Sequence, residues 1–222
     1  MQGASSDSIM AYVVDPQEGN LRLYWKDETG KIFNDFQSLK DGLALENKDL
    51  QFAMNGGMFQ KDFAPQGLYI EAGKTLQLLD TLQSGYGNFY LQPNGVFFLT
   101  NTGKAGVVSQ KEFRNEEVTY ATQSGPMLVV DDQIHPAFRA GSENVHIRNG
   151  VGMLADGRLL FAMSKEKINF FDFATFFKEN GCSNALYLDG FVSKTYLPEQ
   201  GFTDLDGAFG VIIAETKANK ST

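Results

Sequence analysis

The chain has a single cysteine, Cys182, two histidines, His135 and His146, and one tryptophan in 222 residues. One cysteine excludes an intrachain disulfide and a thiolate zinc site. Two histidines exclude a metal centre built mainly on imidazole, though not one built on Asp, Glu and Asn oxygens. Basic residues are in the minority: 19 Lys and Arg stand against 27 Asp and Glu, a formal charge of −8. No basic run or stripe breaks that balance. Nucleic-acid binding by phosphate neutralisation and docking on an anionic membrane surface are therefore not expected. No apolar run approaches the roughly 18 residues of a membrane-spanning helix. The opening residues MQGASSDSIM lack a charged segment followed by an apolar one, so no signal peptide is read there.

What remains is an ordinary soluble composition with 19 phenylalanines, which suggests an aromatic core. The length suits one domain, 1–222, with frayed ends expected at 1–8 and 216–222. Short strand-like runs dominate. AYVVD (11–15) and LRLYW (21–25) read as a hairpin around residues 17–20. LQFAMN (50–55) and GLYIE (67–71) flank a glycine-rich loop. NFYLQ (88–92) and VFFLT (96–100) read as a hairpin through Asn94-Gly95. TYATQ (119–123) and MLVVD (127–131) flank Ser124-Gly125-Pro126. Residues 149–164 read as a hairpin about Asp156-Gly157, apolar on both faces and so central in a sheet. One helix is expected over 169–181, with Asn169 as its cap, Phe170, Phe173, Ala174 and Phe177 on its buried face, and Gly181 as its stop. Strands over 185–190, 192–197 and 207–214 follow, completing a β-rich α+β domain.

Four segments join glycine to a polar residue at a strand end: Asn55-Gly56-Gly57, Ser124-Gly125-Pro126, Arg148-Asn149-Gly150 and Asp189-Gly190. They are either four unrelated turns or the backbone round one cleft. A two-residue loop at Asp156-Gly157 would set Arg148 opposite Lys165, with His146 on the same face. That cluster reads either as a small anion pocket or as charges neutralised by Glu143 or Glu166. Asp189, after the apolar run Leu186-Tyr187-Leu188, must be hydrogen-bonded, metal-bound or catalytic, unless it only caps a turn. His135, before Pro136, reads as part of a surface turn, and no serine-hydrolase elbow, P-loop or dinucleotide fingerprint is present.

Four motifs in order resemble the phosphodiester glycosidase family, in its bacterial branch: MNGGMF with PQGLYI (54–70), QSGPMLVVDDQI (123–134), HIRNGVGMLADGRLLFAMS (146–164) and NALYLDGFVSKTYL (184–197). Phe191 and Val192 stand where the family has two further glycines, and Asn149 where it has threonine. The resemblance implies an α+β domain with a central twisted mixed sheet and a few packed helices. It implies cleavage of a sugar from a phosphodiester, a small-molecule or glycan phosphodiester as partner, and a periplasmic or extracellular location. Asp189, Arg148, Asn55 and Ser124 are its expected catalytic set. Gly56, Gly57, His146, Gly190 and Ser193 are expected to bind substrate, joined by Lys165 from the hairpin register and Glu71 as a second carboxylate. No cofactor is required; a calcium or magnesium ion near Asp189 is chemically compatible, but no ligand spacing points to one. Two other readings stand beside this one: a non-catalytic glycan or sugar-phosphate binding module of the cell envelope, and a phosphodiesterase that cuts the P–O bond.

Overall fold

The computed structural model describes residues 8–189 and 192–219. Its strands and helices, in chain order, are β1 (Ile9–Val14), β2 (Leu21–Tyr24), α1 (Phe36–Leu45), β3 (Lys48–Asn55), β4 (Tyr69–Glu71), β5 (Lys74–Gln77), β6 (Gly95–Thr100), β7 (Ala105–Ser109) and β8 (Val118–Ser124). There follow β9 (Met127–Val130), β10 (Gln133–Ile134), β11 (Asn149–Leu154), β12 (Leu159–Ser164), α2 (Phe170–Glu179), β13 (Cys182–Asp189), β14 (Thr195–Tyr196) and β15 (Ile212–Ala218). They build three sheets, ordered β1-β12-β11-β13-β9-β10, β14-β3-β15-β2 and β5-β4-β8-β6-β7.

Every strand pairing among the described residues is antiparallel, so the expected central mixed sheet is replaced by three antiparallel ones. The reason is that no helix carries the chain between parallel neighbours. The inner faces of all three sheets share one core that includes Phe52, Tyr69, Phe97, Val151, Phe161, Leu188 and Ile213. The outer faces are covered separately. Helix α2 lays Phe173, Ala174 and Phe177 on the six-stranded sheet, as the periodicity predicts. Helix α1 lays Phe36, Leu39 and Leu43 on the four-stranded sheet. Asp35 caps α1 through the Ser38 N–H at 2.7 Å. The i, i+3, i+7 spacing of those apolar residues behind an Asp cap was the missed signal for this helix.

Three hairpin expectations change. β1 and β2 do not pair: β1 joins β12 and β2 joins β15. Asp15 caps a 3-10 turn at Pro16–Glu18, which sends the two strands into different sheets. Asn94-Gly95 is not a hairpin turn, because Gly95 already opens β6, whose hairpin partner is β7. The third change matters most. The β11–β12 loop has three residues, Ala155 to Gly157, closed by the Leu154 N–H on Arg158 O at 2.9 Å. Gly157 takes a left-handed φ of 88° there, a three-residue loop rather than a two-residue one. The register moves by one residue, so Arg148 faces Ser164, which donates to it at 2.9 Å. Lys165 turns to the other side and is exposed. Thr216 to Ala218, within the segment expected to fray, pair with β3, and residues 220–222 lie outside the described residues.

His135 is buried, contrary to the surface turn expected of it. Its Nδ1 accepts the Ala137 N–H at 3.1 Å, so Nε2 carries the proton and donates to Gln92 O at 2.8 Å. The ring stacks on Phe138 at 4.7 Å. Burial holds its pKa below the ordinary histidine value, and the bond to Gln92 only partly opposes this. The stability contributed by neutral His135 is complete above about pH 6.5, the unfolded-state value. It is lost as pH falls from there through the depressed folded value, because the unfolded chain takes up the proton first. Wild-type protein should therefore lose more stability between pH 7.5 and 5 than His135→Gln does, measured by urea midpoints. Equal losses in the two proteins would contradict this.

Candidate active site at the meeting of three sheets

Three expected site residues, Asn55, Ser124 and Asp189, sit with Asn149 on strand ends from all three sheets. β3 ends at Asn55, β8 ends at Ser124, β11 begins at Asn149 and β13 ends at Asp189. All four are buried, Asp189 being 7% exposed.

The residue that joins them was not among the expected site residues. Asn149 donates from Nδ2 to Asn55 O at 2.9 Å and to Asn55 Oδ1 at 2.8 Å. Its Oδ1 accepts the Asp189 N–H at 2.9 Å. Asn55 Oδ1 also accepts the Lys194 N–H at 2.8 Å. Each amide therefore has a main-chain donor on one atom, which fixes that atom as oxygen. Asn55 Nδ2 is then a buried donor without a partner. An asparagine opening an otherwise apolar strand was the available signal, since it is a poor strand former that needs its amide satisfied.

Ser124 and Ser193 complete the joint. Between Asn149–Asp189 and Gly150–Tyr187 the β11–β13 register slips, leaving Leu188 as an extra residue. Ser124 Oγ donates to the Leu188 carbonyl at 2.6 Å, tying the five-stranded sheet to the six-stranded one. Ser193 Oγ bonds to the Asp189 carbonyl and lies 3.2 Å from Ile147 O.

Arg148 points to the opposite face. It is fully buried against α2. Nε donates to Ile168 O at 2.8 Å, Nη1 to Tyr187 Oη at 3.3 Å, and Nη2 to Asn144 O and Oδ1 at 2.9 and 3.1 Å. The guanidinium carbon lies 3.6 Å from the Phe170 ring centre. Burial lowers its pKa from the ordinary arginine value, and Tyr187 opposes the shift. This arginine fastens residues 144–148 to the loop before α2 and so sets the position of His146.

His146 is exposed and lines an open pocket of about 570 Å³ with Ile147, Lys167, Val192, Ser193 and Lys194 among its walls. Lys194 pairs with Asp206 at the rim. The basic side chains of the pocket are thus His146, Lys167 and Lys194, and Lys165 is not among its lining residues. Ser193 connects the pocket to the buried joint below it.

Gly56 and Gly57 allow close approach, and the neighbours they admit are the protein's own. A Cβ at Gly56 would lie 2.6 Å from Ile213 Cγ1, and one at Gly57 2.6 Å from Thr122 Oγ1. Glu71 lies elsewhere. It accepts the Tyr69 hydroxyl at 2.8 Å, and burial raises its pKa against that bond. Tyr69 pairs with Thr122, which places Glu71 opposite Tyr120, four residues before Ser124. At ~3.3 Å per residue that is about 13 Å along the strand. Gly190 lies outside the described residues. Among the described residues no group of three or more His, Cys, Asp or Glu side chains converges on a metal position, and no helix is long and apolar enough to cross a membrane.

Removing the Asn149 amide strands the Asp189 N–H inside the protein. Asn149→Ala should cost about 1–3 kcal/mol of stability. Urea unfolding should show this as a lower midpoint at unchanged slope. A midpoint equal to wild type would contradict the joint.

The phosphodiester glycosidase family model matches residues 48–212. The uncharacterized protein YigE of Escherichia coli K12 is 36% identical over 192 residues, covering 86% of this chain and 74% of that protein. The zebrafish N-acetylglucosamine-1-phosphodiester alpha-N-acetylglucosaminidase catalytic domain, solved auto-inhibited by its pro-peptide, superposes with a TM-score of 0.63 at 14% identity, covering 96% of this chain and 84% of that one. A Burkholderia pseudomallei protein whose name marks it as a candidate for export has a TM-score of 0.56 at 11% identity, covering 93% of this chain and 73% of that one. The structural likenesses establish a shared fold, and the match across most of the sequence establishes more: this chain belongs to the phosphodiester glycosidase family.

Proposed function

We propose that this protein hydrolyses the bond between the anomeric carbon of a sugar and a phosphodiester, releasing free sugar and a phosphomonoester. One observation carries the reading. Three sheets deliver Asp189 and Asn149, Asn55, and Ser124 to one buried joint, and Ser193 bonds to the Asp189 carbonyl beside it. Ser193 also lines a pocket that gathers Lys167, Lys194 and His146, with Asp206 paired to Lys194, on a protein of net charge −8.

In this reading the pocket cations hold the phosphodiester and offset the charge that develops on the departing phosphate. A phosphomonoester leaves readily, so the demand for a strong general acid is small. The Asp189 carboxylate stabilises the oxocarbenium-like centre or aligns the attacking water. Asn55 Nδ2, the unpartnered donor, bonds a sugar hydroxyl or phosphate oxygen. Arg148, Asn149 and Ser124 act as positioning residues, since their polar atoms are committed inside the protein. Glu71 is not assigned to the reaction, since its carboxylate is committed to the Tyr69 hydroxyl and it stands opposite Tyr120, four residues along β8 from Ser124.

A panel of sugar-1-phosphodiesters tests this. The wild type should release free sugar, and Asp189→Asn should lower turnover about 10²–10⁴-fold. In ¹⁸O-labelled water the label should enter the sugar. Label in the phosphate would transfer the activity to P–O cleavage, and saturable binding without turnover would favour a binding module. Lys167→Ala and Lys194→Ala should raise KM more than Lys165→Ala, which lies outside the pocket. Equal effects of all three would remove the pocket from the account.

A further inference from the structure

Among the described residues three ion pairs form, and two of them, Glu46 with Lys48 and Asp156 with Arg158, join residues two apart in the chain. The third, Lys194 with Asp206, links separate segments, and both partners line the candidate pocket. Each partner stands on anchored main chain. The Lys194 N–H is held by Asn55 Oδ1 at 2.8 Å, and the next residue opens β14. On the other side, the Leu205 carbonyl accepts the Gln37 N–H of α1 at 2.9 Å, and the Phe209 N–H donates to Asn34 O at 2.8 Å. The buried Phe209 ring packs on Phe36 at 4.8 Å. A carboxylate is thus built into the wall of a pocket whose other titratable side chains, His146, Lys167 and Lys194, are basic.

The Lys194 ammonium has three donors, and Asp206 takes one of them. A phosphate oxygen on a second donor would stand about 4–5 Å from the Asp206 carboxylate, because each oxygen lies ~2.8 Å from the nitrogen along tetrahedral directions. Repulsion between two unit charges at that distance weakens binding about fivefold even in water, and the factor is squared for a dianion. In the reading above the substrate's phosphodiester carries one charge, and the phosphomonoester product carries close to two. Basic side chains alone would hold the product more tightly than the substrate. Asp206 opposes that preference.

We propose that Asp206 sets the charge specificity of the pocket, favouring the monoanionic phosphodiester and easing release of the dianionic phosphomonoester. This rests on the functional reading above.

Two ligands that share one sugar test it, a non-hydrolysable sugar-1-phosphonate and its methyl ester. At about pH 8.5 the first carries two charges and the second one. Both are titrated by calorimetry, at low salt to limit screening, into the wild type, Asp206→Asn and Asp204→Asn. Asp204 is exposed two residues away and does not line the pocket, so it controls for net charge. Asp206→Asn should bind the ester about fivefold and the phosphonate about 25-fold more tightly than the wild type does, changing their ratio about fivefold. Asp204→Asn should leave the ratio as it is in the wild type. Equal gains for the two ligands, no gain, or the same change of ratio in Asp204→Asn overturns the proposal and leaves the functional reading standing. If neither ligand binds the wild type or Asp206→Asn, the functional reading falls and takes this one with it.

Discussion

The bonds of one buried amide hold the candidate site together. Asn149 stands at the start of β11, reaches across to Asn55 at the end of β3, and holds the Asp189 main chain at the end of β13. Three antiparallel sheets that share an apolar core have no intrinsic reason to meet in register at their ends. Hydrophobic burial is non-directional and would tolerate sliding. Directional hydrogen bonds in a low-dielectric interior do not, because a misplaced strand end leaves a buried polar group unsatisfied at about 1–3 kcal/mol. Ser124 repeats the device between β8 and β13, using the carbonyl that the irregularity at Leu188 frees from the ladder. The fold thus places its most costly polar groups where the sheets converge.

That arrangement separates two tasks. The residues that fix geometry, Arg148, Asn149 and Ser124, are fully buried. The residues available to a ligand are at the surface above them, His146, Lys167 and Lys194, with Ser193 between the layers. Arg148 shows why burial decides the role. Its guanidinium is spread over carbonyls, a phenol and an aromatic face rather than left facing the pocket. A charge so placed is a brace for residues 144–148, and its field reaches the pocket only through the segment it holds.

The sequence made some of this legible. The stripe of Phe170, Phe173, Ala174 and Phe177 identified α2 because a helix repeats its buried face every three to four residues. The strand-end glycines pointed to close packing round one place, but Gly56 and Gly57 turned out to admit Ile213 and Thr122. The register of β11 and β12 failed on one dipeptide. Asp156-Gly157 suits a two-residue turn, yet a left-handed Gly157 closes a three-residue loop equally well, and the single-residue difference moved Lys165 away from Arg148. Pairing between distant segments was not readable at all. β1 and β2 look like a hairpin in sequence, and only the long-range partners β12 and β15 decide otherwise. Asn149 was visible as a departure from the family's pattern, but its role depends on Asn55, 94 residues away.

The most direct test of the central claim is the position of a sugar 1-phosphate in a crystal structure of the complex. Its phosphate should lie within hydrogen-bonding distance of Lys167 or Lys194 and its anomeric carbon beside Asp189, with a bond from Asn55 Nδ2 to the ligand. A sugar phosphate seated instead in the pocket lined by Arg22, Lys104 and Tyr120, at the opposite end of β8 from Ser124, would contradict it.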